Sequence, residues 1–306
     1  VGGAIAPGVS MRGAMSYRGR EDWVDNTFNG TELGGFDDLA GRVQLLLEPS
    51  DNFSALFNVH ARTYEGTSTL FRANILSTGS NELNANFDRE RVSYNQGGGT
   101  PQDYDSLGGS ATLEYDFGGV SLTSITAYET LEGRSRGDID GGVAASGPGF
   151  IPFDSDTQDS IDDLTQFTQE VRLASEAGPF NWQAGVFYFD SDLTVTTVGP
   201  FGFPPSTTLN HTNTSWAVFG QVGYDVSDRL TVTAGVRYTD DEKELRGVVT
   251  PGPVSVSVSD EQVSWDLSAV YAMSDDANLY ARIASGFRAP TIQGRDVAFF
   301  SPPSVA

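Results

Sequence analysis

Residues 213–239 read NTSWAVFGQVGYDVSDRLTVTAGVRYT. In the second half of this stretch Leu230, Val232, Ala234, Val236 and Tyr238 alternate with Arg229, Thr231, Thr233, Gly235, Arg237 and Thr239. A period of two sends the first set to one face of a strand and the second set to the other. The first half does the same, with Trp216, Val218, Gly220, Val222 and Tyr224 set against Ala217, Phe219, Gln221 and Gly223. Between the halves lies Asp225-Val226-Ser227-Asp228, rich in residues that bond their own backbone in turns. The stretch predicts an antiparallel hairpin with one apolar and one largely polar face.

Four more pairs follow this plan. Val43, Leu45 and Leu47 lead through Glu48–Asn52 into Phe53, Ala55, Phe57, Val59 and Ala61. Segment 111–117 (Ala111, Leu113, Tyr115, Phe117) turns at Gly118-Gly119 into 120–132, where the alternation is weaker. Segment 165–173 (Phe167, Val171, Leu173) turns at Ser175–Pro179 and returns through Phe180, Trp182, Ala184, Val186 and Tyr188. Segment 263–271 (Val263, Trp265, Leu267, Ala269, Tyr271) turns at Ser274–Ala277 and returns through Ala281, Ile283 and Phe287. An unpaired strand is predicted over 11–25, for about eleven strands in all.

The links at the other end are long, at 66–107, 134–163, 195–212 and 242–261, and rich in Gly and Pro. Structureless links of this length inside a compact domain normally mark functional loops. Short turns at one rim, long loops at the other and two-faced strands describe an antiparallel transmembrane β-barrel, with short periplasmic turns and long extracellular loops. Hydrocarbon holds no water to satisfy an open sheet edge, so such a sheet must close. The apolar face then meets lipid, and the polar face (Glu170, Arg172, Gln183, Arg237) meets a wet lumen. Tyr115, Phe117, Phe180, Trp182, Tyr224 and Tyr271 near the turns, with Tyr188, Trp216, Tyr238 and Trp265 toward the loops, form the two expected aromatic belts. A soluble β-sandwich, as a cell-surface enzyme or adhesin, also alternates; its loops need not differ in length between its two ends.

The composition agrees. The 306 residues carry 18 Lys+Arg against 41 Asp+Glu, a net charge of −23. That balance argues against a nucleic-acid partner, because phosphate neutralisation needs clustered cations. With no Cys there are no disulfides, thiolate metal sites or Cys nucleophiles. No apolar run reaches the length of a membrane-spanning helix, and no signal peptide is legible. Gly is frequent at 35, and Lys243 is the sole lysine, so helix-forming composition is missing while strand formers abound.

Particular strings resemble those of TonB-dependent outer-membrane receptors. They are YRGREDWVDN at Tyr17–Asn26, Gly35-Phe36-Asp37-Asp38 leading into Gly41-Arg42-Val43, and Leu47-Glu48-Pro49-Ser50-Asp51. Further along come FTQEVRL at Phe167–Leu173, AGVRYTDD at Ala234–Asp241 and YARIASGFRAP at Tyr280–Pro290. The resemblance covers about 11–295, all of it barrel. It implies roughly half of a 22-stranded barrel that a globular plug fills, in the cell outer membrane of a Gram-negative bacterium. It also implies import of a scarce nutrient (siderophore-iron, cobalamin or glycan) with TonB-coupled energy, without catalysis or cofactor. The partners implied are outer-membrane lipid, a small-molecule ligand such as a ferric siderophore, and the TonB complex through a plug. No plug, energy-coupling box or closing aromatic strand is legible, so 1–306 is expected to be a partial barrel domain lacking plug and C-terminal strands.

Candidate sites are sparse. Asp154-Ser155-Asp156-Thr157-Gln158-Asp159 with Asp162-Asp163 invites a calcium reading. Gln158, Asp159 and Thr165 stand where an EF-hand needs a ligand, Gly and Glu, so a solvated acidic loop is expected and no metal is assigned. His60 alternates with Asn58 and Arg62 and is expected on the polar face, lining the lumen or meeting a plug. His211 is expected in a long loop, where a substrate contact is one reading. Arg172, Glu170, Arg237, Arg282 and Arg288 are expected as lumen pairs or plug contacts. No nucleophile elbow, phosphate loop or HExxH is present, so no catalytic residue is assigned. Ligand specificity is expected in the long loops; Phe150, Phe201 and Phe203 are apolar candidates there, and no ligand-binding residue is fixed.

Overall fold

The computed structural model describes residues 1–95, 97–143, 154–176, 178, 180–198, 206–249, 252–294 and 303–305. Its main body is one antiparallel sheet of twelve strands. In spatial order these are β1 (Gly2–Ala6), β2 (Val9–Arg20), β5 (Phe36–Ser50), β6 (Phe53–Thr67), β8 (Pro101–Asp116), β9 (Ser121–Asp138), β10 (Asp156–Ser175), β11 (Phe180–Val198), β12 (Thr207–Ser227), β13 (Leu230–Val249), β14 (Gly252–Ser274) and β15 (Ala277–Ser285). Two small sheets accompany it. One joins β3 (Val24–Asn26), β4 (Thr31–Leu33) and β7 (Arg91–Val92); the other joins β16 (Ile292–Gln293) and β17 (Ser304–Val305).

Sequential strands of the main sheet are antiparallel neighbours, and the short turns lie at one rim except for 250–251, which separates β13 from β14 at the other. Asp51-Asn52, Asp228-Arg229 and Asp275-Asp276 each close a turn between strand ends. The β8–β9 turn needs positive φ at Gly118 (84°) and Gly119 (117°), which side chains resist. The Asp116 carboxylate holds it by accepting from the Gly118 N–H at 2.7 Å.

Along the middle of the strands the alternation read from the sequence is what the sheet displays. Val43, Val59, Leu113, Leu173, Val186, Val218, Val236 and Leu267 are all exposed large apolar side chains on one face. Among the described residues no second sheet of comparable size packs over them, so this is not a sandwich core. The weaker alternation of β9 has a local cause. Ser124 and Thr126 stand on the apolar face opposite Val171 and Gln169. Gln169 satisfies both, accepting from the Thr126 hydroxyl at 2.5 Å and donating to Ser124 Oγ at 3.0 Å.

Four expectations need correction. The sheet has twelve strands rather than about eleven, because Gly-rich β1 adds a hairpin. The strand predicted over 11–25 is not unpaired; β2 bonds β1 on one side and β5 on the other. Much of 195–212 and nearly all of 242–261 is strand rather than loop, with only 250–251 separating β13 from β14. Phe287 lies beyond the end of β15. The strands run on because backbone pairing does not stop where the apolar face stops. At about 3.3 Å per residue a strand the length of β14, 23 residues, far exceeds the thickness of a hydrocarbon core even when tilted.

The long connections carry structure. Val24, Leu33, Val92 and Tyr94 form a buried cluster against Leu70, tying 21–35 to 68–100. The Asn26 side chain clamps the Tyr94 backbone, donating to its carbonyl at 3.0 Å and accepting from its N–H at 2.8 Å. Burial pushes the Tyr94 phenol above its ordinary range, and its hydroxyl donates to the Phe71 carbonyl.

The two faces make opposite predictions for adjacent positions. Ala234→Arg puts a charge on the apolar face midway between the two aromatic belts and should cost about 2–4 kcal/mol in the membrane-assembled protein. Thr233→Arg, on the other face, should cost well under half of that. Urea unfolding from lipid vesicles measures both; equal costs would contradict the assignment of faces.

Candidate functional site

The polar face of the sheet gathers the charged side chains that the middle of the apolar face lacks, with Phe36, Phe187 and Phe219 set among them. On β5 and β6, Asp38 is 4% exposed and takes two guanidinium groups. Arg62 binds it through Nε and Nη2 at 2.7 and 3.1 Å, and Arg18 through Nη2 at 2.5 Å. A bidentate Arg–carboxylate geometry fixes direction as well as charge. Beside this cluster Arg20 stacks on Phe36, 5.1 Å from the ring centroid.

His60 lies where the alternation put it, on the polar face. Its Nε2 is 3.0 Å from Glu129 Oε2 and its Nδ1 3.1 Å from Asn58 Nδ2. Glu129 belongs to β9, and β8 runs between it and His60. Gly108 makes the bridge possible: a Cβ there would stand 1.8 Å from Glu129 Oε2. The sequence signal was a glycine at a polar-face position of a strand, readable only once the register is known.

On the other half of the sheet Arg237 lies between two rings, 5.5 Å from the Phe187 centroid and 5.7 Å from that of Phe219. Its Nε donates to Thr239 Oγ1 at 3.1 Å. Gly185 makes room for this stack, because a Cβ there would meet the tip of the Phe219 ring at 2.7 Å. The arrangement lines a concavity of about 420 Å³ with Gln183, Gln221, Asp266, Arg282 and Phe287. Arg282 pairs with Asp266 at 3.2 Å and Arg172 with Glu170 at 3.6 Å. Arg288 is exposed beyond β15. A guanidinium held rigid by two aromatic faces offers its remaining N–H groups to an anion at little entropic cost.

His211 is not in a loop. It sits in β12 between Leu193 and Leu245, several residues beyond the Trp216 end of the apolar band. Burial and then the Lys243 charge hold its imidazole below the ordinary histidine range.

The acidic run is strand as well, from Asp156 onward, and four of its five carboxylates have separate partners. Asp156 takes Arg136 at 2.6 Å, Asp159 accepts from Thr197 at 2.8 Å, Asp162 from Thr196 at 2.5 Å, and Asp154 from Asn95 at 2.9 Å. Among the described residues no group of three His, Asp or Glu side chains is arranged to hold a metal ion. Phe150, Phe201 and Phe203 lie outside the described residues.

A family model described as TonB dependent receptor-like, beta-barrel matches residues 16–303. Among solved structures, the ferric yersiniabactin uptake receptor FyuA from Yersinia pestis aligns with TM-score 0.72 at 18% identity, over 95% of this chain and 43% of that one. The siderophore receptor PiuA from Acinetobacter baumannii aligns with TM-score 0.73 at 10% identity, over 95% of this chain and 46% of that one. The ferric citrate transporter FecA aligns with TM-score 0.64 at 14% identity, over 95% and 40%. At these identities the likeness is one of fold, and the chain spans less than half the length of each of these three.

The Arg237 stack depends on an empty Cβ position, and this is testable. Gly185→Val should push Phe219 aside and destabilise the assembled protein by about 1–3 kcal/mol. Gly41→Val, at a position with nothing within 4 Å, should change it by less than about 0.5 kcal/mol. Thermal or urea unfolding of both variants checks the difference, and equal effects would contradict it.

Proposed function

The chain belongs to the TonB-dependent receptors, within their β-barrel domain, and from that premise we propose that it forms barrel wall and outer recognition surface in a nutrient importer. Its place is the outer membrane of a Gram-negative bacterium. The main sheet ends in two edges, β1 and β15. Such edges need partners inside a bilayer, and in this reading further strands of the same receptor supply them. A plug inside the completed barrel meets the Asp38 and Glu129 clusters and passes on the pull of the TonB complex.

The observation that carries this reading is the division of the sheet into an uncovered apolar face and a polar face with fixed cations. The first suits lipid and the second suits a solute that crosses inside. Among nutrient classes we favour a ferric siderophore. Two similar structures are named as receptors of that kind, and the stacked Arg237 suits an anionic or aromatic chelate. The role is binding and passage, with no covalent step assigned to any residue.

Recognition is placed in the outer connections, which the barrel's backbone pairing does not need. In the intact receptor, deletion of 73–88 or of 139–155 should cut uptake of radiolabelled ferric siderophore at least tenfold. Assembly into the outer membrane, read as heat-modifiable gel mobility, should persist. Full uptake in both deletions would move recognition away from these segments.

A further inference from the structure

The strands change character above the aromatic belt at Tyr188, Trp216, Tyr238 and Trp265. Below it β14 turns Trp265 and Leu267 to the lipid face and Ser264, Asp266 and Ser268 to the inner face. Above it Ser255, Ser257 and Ser259 take the outer side and Val254, Val256 and Val258 the inner. The neighbouring strands make the same exchange, with Leu209 and Leu245 inward while Asn210 and Glu244 point out. The β12–β13 and β13–β14 registers run unbroken through this level, so no bulge causes the inversion; the order of residues does.

An aliphatic wall above the membrane and on the inner side has no lipid to face and must be covered or be used. Part of it is covered. Beyond β15 the chain crosses the inner face and buries Ile292 between Leu209 and Leu245, leaving them 5%, 8% and 1% exposed. Gly294 comes down on the same spot, where a Cβ would stand 2.8 Å from Leu245 Cδ1. The His211 imidazole lies beside the Ile292 backbone. Val254, Val256 and Val258 pack against this cluster yet stay half-buried among the described residues, so the apolar surface extends past Ile292.

We propose that this aliphatic seat in the outer vestibule is a binding site for an aliphatic or aromatic group of the transported ligand, and that Ile292 is the occupant the ligand displaces. The seat recognises shape and apolar area, while charge is read lower down at Arg237. This rests on the receptor reading above and narrows its ligand to one with an apolar portion.

The chain contains no Cys, so Ile292→Cys gives the assembled receptor a single thiol from this region. Its rate of reaction with a charged methanethiosulfonate is read in the outer membrane, with no uptake measured, so failure here leaves the uptake test standing. The thiol should react slowly. Leu245→Ala, or Leu209→Ala as a second variant, should speed the reaction at least tenfold. Added 1-hexanol should speed it several-fold where equimolar ethanol does not. Ser257→Cys, on the outer face of the same strands, should be indifferent to the alcohols. Fast labelling that Leu245→Ala leaves unchanged would overturn the seat itself. Acceleration by Leu245→Ala but none by hexanol would make the segment a fixed cover and overturn the binding site. An equal hexanol effect at Ser257→Cys would mean general loosening and overturn it too.

Discussion

A backbone N–H in hydrocarbon has no water to turn to, and leaving it unpaired costs several kcal/mol. That constraint sets everything else in this protein. It forces each strand to bond its neighbours along its whole membrane length, as the ladders from β10 to β14 do between the two aromatic belts. With both backbone edges committed, a strand has only its two faces left to vary. One must satisfy lipid and the other is free to hold charge. Arg237, Glu129 and Asp38 are affordable in this sheet only because they share the face that Val236, Tyr128 and Leu39 do not.

The same constraint lapses above the aromatic belt, where water returns. There the strands keep pairing but their faces exchange chemistry, with Glu244 and Ser257 outward and Leu245 and Val256 inward. The barrel wall thus continues as a vestibule with an inner apolar surface of its own. Polarity along this inner wall runs from Asp266 and Arg282, through the stacked Arg237 and the Asp241–Lys243 pair, to Leu245 and Ile292. The lining of this inner wall thus changes from apolar to ionic within one continuous set of strands.

This exchange explains what the sequence made legible. Wherever apolar side chains alternate outward, as at Leu230–Tyr238, the strand, its face and its turn could be read directly. Past Tyr238 and before Val263 the phase of the alternation flips, so a pattern anchored on the lipid face ended there and 242–261 passed for a loop. His211 was misplaced for the same reason. His60 was placed on its face by parity alone, yet its bond to Glu129 was illegible because it needs the β6–β8–β9 register and the vacancy at Gly108. The Arg237 stack depended likewise on a glycine, Gly185, whose role appears only across strands. The acidic run was read as a loop, whereas from Asp156 onward it is strand, and Arg136, Thr196 and Thr197 on adjacent strands bond three of its carboxylates.

The facing of side chains is the claim on which the rest stands, and Leu267 and Ser268 test it most directly. A nitroxide is attached to a single Cys at either position in the receptor assembled in lipid. At 267 its relaxation should respond to oxygen, which concentrates in the bilayer, and hardly to a water-soluble nickel chelate. At 268, on the inner face, that preference should reverse or both responses should fall where the wall is packed. A label at 267 shielded from oxygen and nickel alike would place Leu267 inside a protein core, and the membrane-barrel account would be wrong.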